Sequence, residues 1–327
     1  LARVAAVKAG LPVTVPGITI HRNCTSSMSA IQMGFYQIRA GEAECIMAGG
    51  SDSMSTAPHM VFNARYGQKY GHMEMRDSMW DSLTNLGVGP AMGITAENVA
   101  DKYDITREQM DAYSLRSQQR AVAAIDAGRF EEEIIPVTVK SRKGETVYTV
   151  DEYPKRNATL EGLQKLKPAF KEGGKVTAGN ASGMNDASSG VILMSEEKAK
   201  ELGCPIIAKV VSVATTGVEP ELMGIGPISS TKKALEKAGL TVDDIDLFEI
   251  NEAFSSQCLA CQKELGVPDD KLNVNGGGIS LGHPVGATGS RIVITLMYEL
   301  KRRKQRYGVA TLCAGGGMGT TVVIEMQ

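Results

Sequence analysis

The sequence predicts an α/β fold of two similar halves, with a long segment inserted into the first half. Residues 24–50 and 286–316 share one plan, in which a helix is followed by a strand and a glycine-rich turn. Each turn contains Ala-Gly-Gly, and the two turns fall the same distance after Cys24 and Ser290. This spacing and element order indicate an internal duplication. Residues 54–183 follow neither copy and are interpreted as the insertion.

Composition excludes several classes of protein. The 327 residues are too many for one simple core, and 43% hydrophobic and 22% charged residues are ordinary globular values. A net charge of -2 gives no overall field for nucleic acid. No apolar run approaches the roughly 20 residues of a membrane helix. Six scattered cysteines without an export signal favour reduced thiols, and hence a cytoplasmic protein. Because the chain begins within a helical pattern, we expect an N-terminal segment to be missing.

The two copies are predicted from their periodicity. After Cys24, apolar side chains at helical spacing lie at Met28, Ile31, Phe35 and Ile38. Gly41 ends this helix, and residues 44–50 are predicted as a short buried strand. The helix of the second copy carries Ile292, Leu296, Met297 and Leu300. Its basic end, 301–306, is interpreted as a solvated helix terminus, and a strand follows over 307–316.

The insertion is expected to carry a binding function, because long loops on a rigid scaffold usually do. It contains an aperiodic stretch at 54–86, a helical region at 96–127, alternating strands at 136–150 and a basic loop at 151–175. A short helix at 195–202 and a strand at 205–213 come after it. The predicted units are a first half (1–53 with 184–205), an inserted segment (54–183) and a second half (206–327).

Cys24 is the first candidate catalytic residue. It stands before a predicted helix, whose unpaired N–H groups and dipole would stabilise a thiolate and so favour nucleophilic chemistry. The alternative is a buried structural cysteine, and position alone does not separate the two.

His283 is the second candidate. Six glycines surround it within residues 275–290, and Pro284 constrains the chain after it. A histidine on such a loop is predicted to face a ligand, although lone histidines are more often structural. A dinucleotide site is a weak alternative, because no clear strand precedes these glycines and no acid follows at the expected offset.

Cys313 and Asn251 also lie at strand ends. Four glycines follow Cys313 closely, so free N–H groups there could receive an oxyanion, and the thiol could move a proton. Asn251 follows a predicted strand and is either a helix N-cap or a holder of a water or substrate oxygen. Cys258 and Cys261 have C-x-x-C spacing, but they lie in an apolar helical pattern without a second ligand pair, so no metal site is predicted.

In this order, these motifs resemble the thiolase family. The matching stretches are 23–31, 93–98, 180–186, 251–254, 282–291 and 313–319. The resemblance runs from Ala2 to the C-terminus, and the family's opening strand–helix–strand, on the order of sixty residues, has no counterpart here. It implies two βαβαβαββ halves packed as a layered α-β-α-β-α core, with an inserted loop domain.

The resemblance also implies roles for the candidate residues. Cys24 would carry the acyl group as a thioester, and His283 would activate it. His283 and a water held by Asn251 would polarise the second thioester, and Cys313 would move its α-proton. The N–H groups of Cys24 and Gly315 would form the other oxyanion hole. The expected reaction joins two acetyl-CoA into acetoacetyl-CoA plus CoA, or runs in reverse by ping-pong steps.

The resemblance places coenzyme A thioesters as substrates, with no cofactor. Expected contacts with the pantetheine arm are Met92, Phe170, Ala178, Ser182, Met223 and Phe254, and candidates for the phosphates are Arg156, Lys165 and Lys167. Ala91 stands where the family often has histidine. A 3-ketoacyl-CoA thiolase acting on longer chains is the first alternative, and a non-catalytic CoA-binding scaffold is the second. A homodimer or homotetramer is expected, with a tetramer contact from 54–86.

Overall fold

The computed structural model describes residues 1–142 and 144–327. Its helices are α1 (Ala2–Lys8), α2 (Ser26–Arg39), α3 (Ser78–Thr84), α4 (Met92–Lys102), α5 (Arg107–Asp126), α6 (Leu160–Gln164), α7 (Glu196–Glu201), α8 (Gly226–Ala238), α9 (Ser255–Leu265), α10 (Gly278–Leu281) and α11 (Thr288–Arg303). Its strands are β1 (Cys45–Asp52), β2 (His59–Val61), β3 (Met75–Asp77), β4 (Val137–Ser141), β5 (Gly144–Tyr148), β6 (Ala187–Met194), β7 (Ala208–Gly217), β8 (Leu247–Ile250), β9 (Tyr307–Ala314) and β10 (Met318–Met326).

The sheet of the second half has the order β7-β10-β9-β8. Strands β7, β10 and β9 are antiparallel neighbours, whereas β8 runs parallel to β9. Helices α8 and α9 cover one face of this sheet, and α11 covers the other. Because both faces are covered, β8 and most of β9 are buried along their length rather than alternating.

Helices α2 and α11 form a buried layer between the two sheets. Met28 and Ile31 on α2 pack with Ile292 and Leu296 on α11 in one core cluster. The helices approach closely at Gly289, where an added side-chain carbon would lie 2.6 Å from the backbone nitrogen of Met28. The two copies predicted from the sequence therefore meet through their helices. The layered α/β architecture, with two helices buried between the sheets, agrees with the predicted core.

Strand β1 differs from its prediction as a buried strand. Among the described residues it pairs with β6 alone, in a two-stranded antiparallel sheet with Gly49 opposite Gly190. Ala48 faces α2 and α11, but Met47 is 75% exposed and Ile192 on β6 is 69% exposed. The expectation of full burial was wrong, because the strand is buried on one face only.

The insertion places two helices against the second half. The helical region predicted over 96–127 consists of α4 and α5, separated at Asp104, whose φ is +53°. A capping box between Thr106 and Gln109 starts α5. Helix α4 packs on α9, and α5 packs on α9 and α10. The strands predicted over 136–150 form the hairpin β4–β5, and Lys143 lies outside the described residues.

Candidate active site

Cys24 lies in the turn before α2. Thr25 is the N-cap residue of that helix, and Asn23 adopts a left-handed φ of +46°. The side-chain amide of Asn23 donates to the carbonyl oxygen of Gly315 at 2.9 Å. This bond joins the turn of the first half to the glycine-rich turn of the second half. The structure therefore brings Cys24 and Gly315 together, although 291 positions separate them in the chain.

The thiol of Cys24 is not activated as the sequence suggested. Burial, with a smaller contribution from the charge of Asp52, raises the pKa of Cys24 to about 11. The backbone N–H groups of Gly315 and Cys24 oppose this rise, because they donate to the sulfur. The expected stabilisation of a thiolate by the helix N-terminus is thus outweighed by desolvation. Cys24 is a protonated thiol at neutral pH and needs a base.

This electrostatic environment predicts the pH dependence of Cys24 alkylation. We expect the iodoacetamide rate at Cys24, followed by peptide mass spectrometry, to rise about tenfold per pH unit from pH 7 to 9, because the thiolate is the reactive form. The exposed Cys45 serves as an internal check on the reagent. A plateau already reached at pH 7 would contradict the raised pKa and restore helix activation.

Cys313 lies at the end of β9, before a turn in which Gly316 and Gly317 have φ of 90° and 83°. The residue is fully buried. Burial raises the pKa of Cys313 well above its usual range, and the neighbouring Cys24 adds to the rise. A turn that needs two left-handed residues explains the glycines, and it leaves the Gly315 N–H facing Cys24.

His283 is buried, with a relative exposure of 6%. Its backbone N–H donates to Gly183 O at 3.0 Å. Its Nδ1 lies 2.7 Å from Oγ1 of Thr288. Burial, with a smaller contribution from the Arg291 guanidinium, lowers the pKa of His283 to about 4. The imidazole is therefore neutral at physiological pH and able to accept a proton.

Asn251 faces the imidazole and is not a helix N-cap. Helix α9 begins at Ser255, and its N-cap is Phe254. Asn251 is 1% exposed, and its Nδ2 lies 3.5 and 3.4 Å from the two ring nitrogens of His283. Its Oδ1 has no hydrogen-bond partner among the described residues. A buried oxygen of this kind usually binds a water or a ligand donor.

The residues expected to contact pantetheine are only partly assembled around Cys313. Met92, Met223 and Phe254 share one buried cluster with it. Phe170 is 41% exposed and meets Phe254 edge to face, with ring centroids 6.4 Å apart.

The remaining binding candidates lie around these rings or on the surface. Ser182 is half-buried, and its N–H donates to Ala253 O at 3.0 Å, whereas Ala178 is exposed. Arg156 pairs with Asp126 at 2.8 Å on the surface. Lys165 and Lys167 are also exposed, and the contacts of all three cations with phosphate remain predictions.

Two site residues were missed by sequence reasoning. Leu86 reaches over the glycine turn, since an added side-chain carbon on Gly315 would lie 2.6 Å from its Cδ1. Its aperiodic stretch gave no signal for this contact. Thr288 was treated only as part of a helix start, although a hydroxyl five residues after His283, across a proline turn, was a usable signal.

Cys258 and Cys261 are buried in α9. The Tyr113 hydroxyl donates to Cys258 Sγ at 2.9 Å, and Cys261 Sγ donates to Gly224 O at 3.4 Å. Within residues 1–142 and 144–327, no group of three His, Cys, Asp or Glu residues is arranged to hold a metal ion. Over the same ranges, no helix is both long and apolar enough to cross a membrane.

The fold and these residues define a thiolase. The thiolase N-terminal domain model matches residues 1–197, and the thiolase C-terminal domain model matches residues 204–326. The chain belongs to the thiolase family.

Named relatives are similar over nearly the whole chain. It is 51% identical to the acetyl-CoA acetyltransferase of Syntrophomonas wolfei, covering 99% of this chain and 83% of the relative. It is 52% identical to that of Chromobacterium violaceum, with the same coverage. The crystal structure of human mitochondrial 3-ketoacyl-CoA thiolase in complex with CoA matches with a TM-score of 0.97 at 45% identity, covering 100% of this chain and 82% of that one.

Proposed function

We propose that this chain is an acetyl-CoA acetyltransferase, which joins two acetyl-CoA into acetoacetyl-CoA and CoA and also catalyses the reverse thiolysis. The observation that carries the proposal is the meeting of two cysteines at one glycine turn: the Gly315 N–H faces Cys24, and Cys24 neighbours Cys313. A neutral His283 and an unpartnered Asn251 oxygen supply the other polar groups. The relatives named above support acetyl as the acyl group.

The first half-reaction acylates Cys24. Its thiol proton passes to His283 Nε2 as the sulfur attacks the thioester carbonyl. The thioester oxygen, which becomes negative, accepts hydrogen bonds from the backbone N–H groups of Cys24 and Gly315. The same two groups face the sulfur in the free enzyme. When the carbon–sulfur bond to CoA breaks, the departing thiolate takes the proton of Cys313. The acyl group then remains on Cys24.

The second half-reaction forms the carbon–carbon bond. His283 is now an imidazolium and Cys313 a thiolate, because His283 holds the Cys24 proton and the released CoA holds the Cys313 proton. Cys313 removes an α-proton from the second acetyl-CoA, and the enolate oxygen accepts from His283 Nε2–H and from a water held by Asn251. The enolate attacks the acetyl carbon, and Cys24 leaves as a thiolate and recovers its proton from His283. Both cysteines and the imidazole return to their starting states.

Coenzyme A thioesters are substrates in this proposal, and no cofactor takes part. Met92, Met223 and Phe254 line the pantetheine path next to Cys313, and Phe170, Ser182 and Ala178 extend it outward. Arg156, Lys165 and Lys167 receive the phosphates. For Arg156 this means exchanging its surface partner Asp126 for phosphate, which carries more charge.

We also propose a cytoplasmic homodimer or homotetramer. Large apolar side chains stand out in the segment 54–86, where Phe62 is 53%, Tyr66 87%, Tyr70 95% and Trp80 64% exposed. Exposed apolar side chains concentrated in one segment favour a contact between subunits.

A chain-length assay tests the proposed substrate. We expect kcat/KM for thiolysis of acetoacetyl-CoA to exceed that for 3-ketohexanoyl-CoA and 3-ketooctanoyl-CoA by roughly tenfold or more. A tight acyl pocket can discriminate against one added methylene by about 1–3 kcal/mol, which corresponds to at least about tenfold. Leu86 and Met92 beside Gly315 are the pocket walls that would exclude longer chains. A preference for either longer substrate would support the 3-ketoacyl-CoA thiolase instead.

A further inference from the structure

We propose that Thr288 is a positioning residue that keeps a proton on Nδ1 of His283, so that Nε2 is the ring nitrogen that exchanges the Cys24 proton. The inference rests on the proposed function, because it assigns a partner to the base of that reaction. Thr288 acts in this proposal through the imidazole, with which its hydroxyl is in contact.

The geometry around the hydroxyl carries the assignment. Thr288 is the first residue of α11 and is fully buried. Its Oγ1 lies 2.7 Å from His283 Nδ1 and donates to Pro284 O at 2.8 Å. A hydroxyl has one hydrogen and two lone pairs. With that hydrogen on Pro284 O, Oγ1 accepts from Nδ1–H, and Nε2 keeps its lone pair.

The alternative orientation has a definite chemical consequence. Pro284 O also accepts the backbone N–H groups of Ala287 and Thr288, each at 2.9 Å. A rotated hydroxyl would donate to Nδ1 and leave the ring proton on Nε2. Nε2 of His283 would then have no lone pair to accept the Cys24 proton. Cys24 needs such an acceptor, because its raised pKa keeps the thiol protonated.

Asn251 does not decide between the two tautomers. Its Nδ2 is nearly equidistant from both ring nitrogens, at 3.5 and 3.4 Å, and so is aligned with neither. Among the described residues, Thr288 makes the one short polar contact with the ring. The tautomer of His283 therefore depends on this hydroxyl.

The same contact serves the charged ring. When Nε2 takes the proton of Cys24, both ring nitrogens carry hydrogen, and a buried N–H without an acceptor would be costly. Thr288 Oγ1 remains an acceptor for Nδ1–H in both states. One fixed hydrogen bond thus leaves Nε2 free to cycle, in the way that outer partners fix the tautomer of histidine ligands.

The tautomer can be measured directly in the intact enzyme. We expect ¹⁵N NMR of histidine-labelled protein at neutral pH to show His283 with a protonated Nδ1 and a bare Nε2. The signal is assigned by its loss in His283→Gln, which separates it from the three other histidines. A protonated Nε2 with a bare Nδ1 would overturn the proposal.

Matched variants test the hydroxyl itself. Thr288→Val keeps the shape and removes the acceptor, and we expect kcat to fall roughly 10- to 100-fold with KM changed by less than about twofold. The His283 signal should lose its single tautomer. Thr288→Ser should restore both. Thr295→Val is the control, because it also removes a buried hydroxyl from α11. That hydroxyl contacts Glu133 and not His283.

Two outcomes separate this inference from the proposed function. A Thr288→Val enzyme with unchanged tautomer and unchanged kcat would overturn the role of Thr288 and leave the reaction intact. A wild-type enzyme that never forms an acetyl adduct on Cys24 would overturn the reaction, whatever tautomer His283 has.

Discussion

Replacing Cys24 with serine lowers acetyl transfer by at least about 10⁴-fold, the scale seen when an enzyme loses its nucleophile. The serine hydroxyl is a far weaker acid than the thiol, and burial already raises the pKa of Cys24 to about 11. His283, whose pKa is lowered to about 4, cannot remove a proton from so weak an acid at a useful rate. The variant should therefore fail in the first half-reaction.

The measurement is the intact mass of the protein after exposure to acetoacetyl-CoA, combined with steady-state thiolysis rates. Wild-type enzyme should gain one acetyl group, located at Cys24 by peptide mapping, and Cys24→Ser should gain none. Cys45→Ser is the control, because Cys45 is exposed on β1 and lies outside the site. A wild-type spectrum without an adduct would favour the non-catalytic scaffold, and an active serine variant would exclude Cys24 as nucleophile.

Local pattern was sufficient to predict the two copies of the fold. The helix–strand–turn plan predicted α2 with β1 and α11 with β9, because periodicity and glycine placement depend on nearby residues. The order β7-β10-β9-β8 was not derivable from pattern, since strand order depends on contacts between distant segments. The half-exposure of β1 escaped prediction for the same reason, because it depends on what packs against Met47.

The sequence predicted candidate residues that the structure brings together, but it did not predict their electrostatics. A glycine-rich loop predicted His283 and a glycine-rich turn at a strand end predicted Cys313, because local composition is visible in the sequence. The sign of the Cys24 pKa shift was wrong, because a helix start is visible in sequence whereas desolvation is a property of the assembled core. Leu86 could not be found, since its contact with Gly315 joins the insertion to the second half.

Replacing Cys313 with serine separates the two half-reactions. We expect Cys24 to be acetylated still by acetyl-CoA, because CoA can leave as a thiolate when Cys313 supplies no proton, while condensation falls roughly 10²- to 10⁴-fold, the size of a lost acid–base group. The α-carbon of a thioester is a very weak acid, so proton removal needs a base formed at the site. A buried thiol can become that base when CoA leaves with its proton, whereas a serine hydroxyl holds its proton too tightly.

The readouts for Cys313→Ser are the acetyl adduct formed on Cys24 from acetyl-CoA and the exchange of α-hydrogens of acetyl-CoA in D₂O, followed by NMR. Adduct formation should persist, and exchange should fall together with condensation, because both require removal of the same proton. Cys261→Ser is the matched control: Cys261 is equally buried and lies close enough to raise the pKa of Cys313, but the proposed mechanism gives it no step. Condensation retained in Cys313→Ser would remove Cys313 from the proton transfer. Loss of the adduct would show that CoA cannot depart without the Cys313 proton, so the division of labour between the two cysteines stands only if exchange is lost and acetylation is kept.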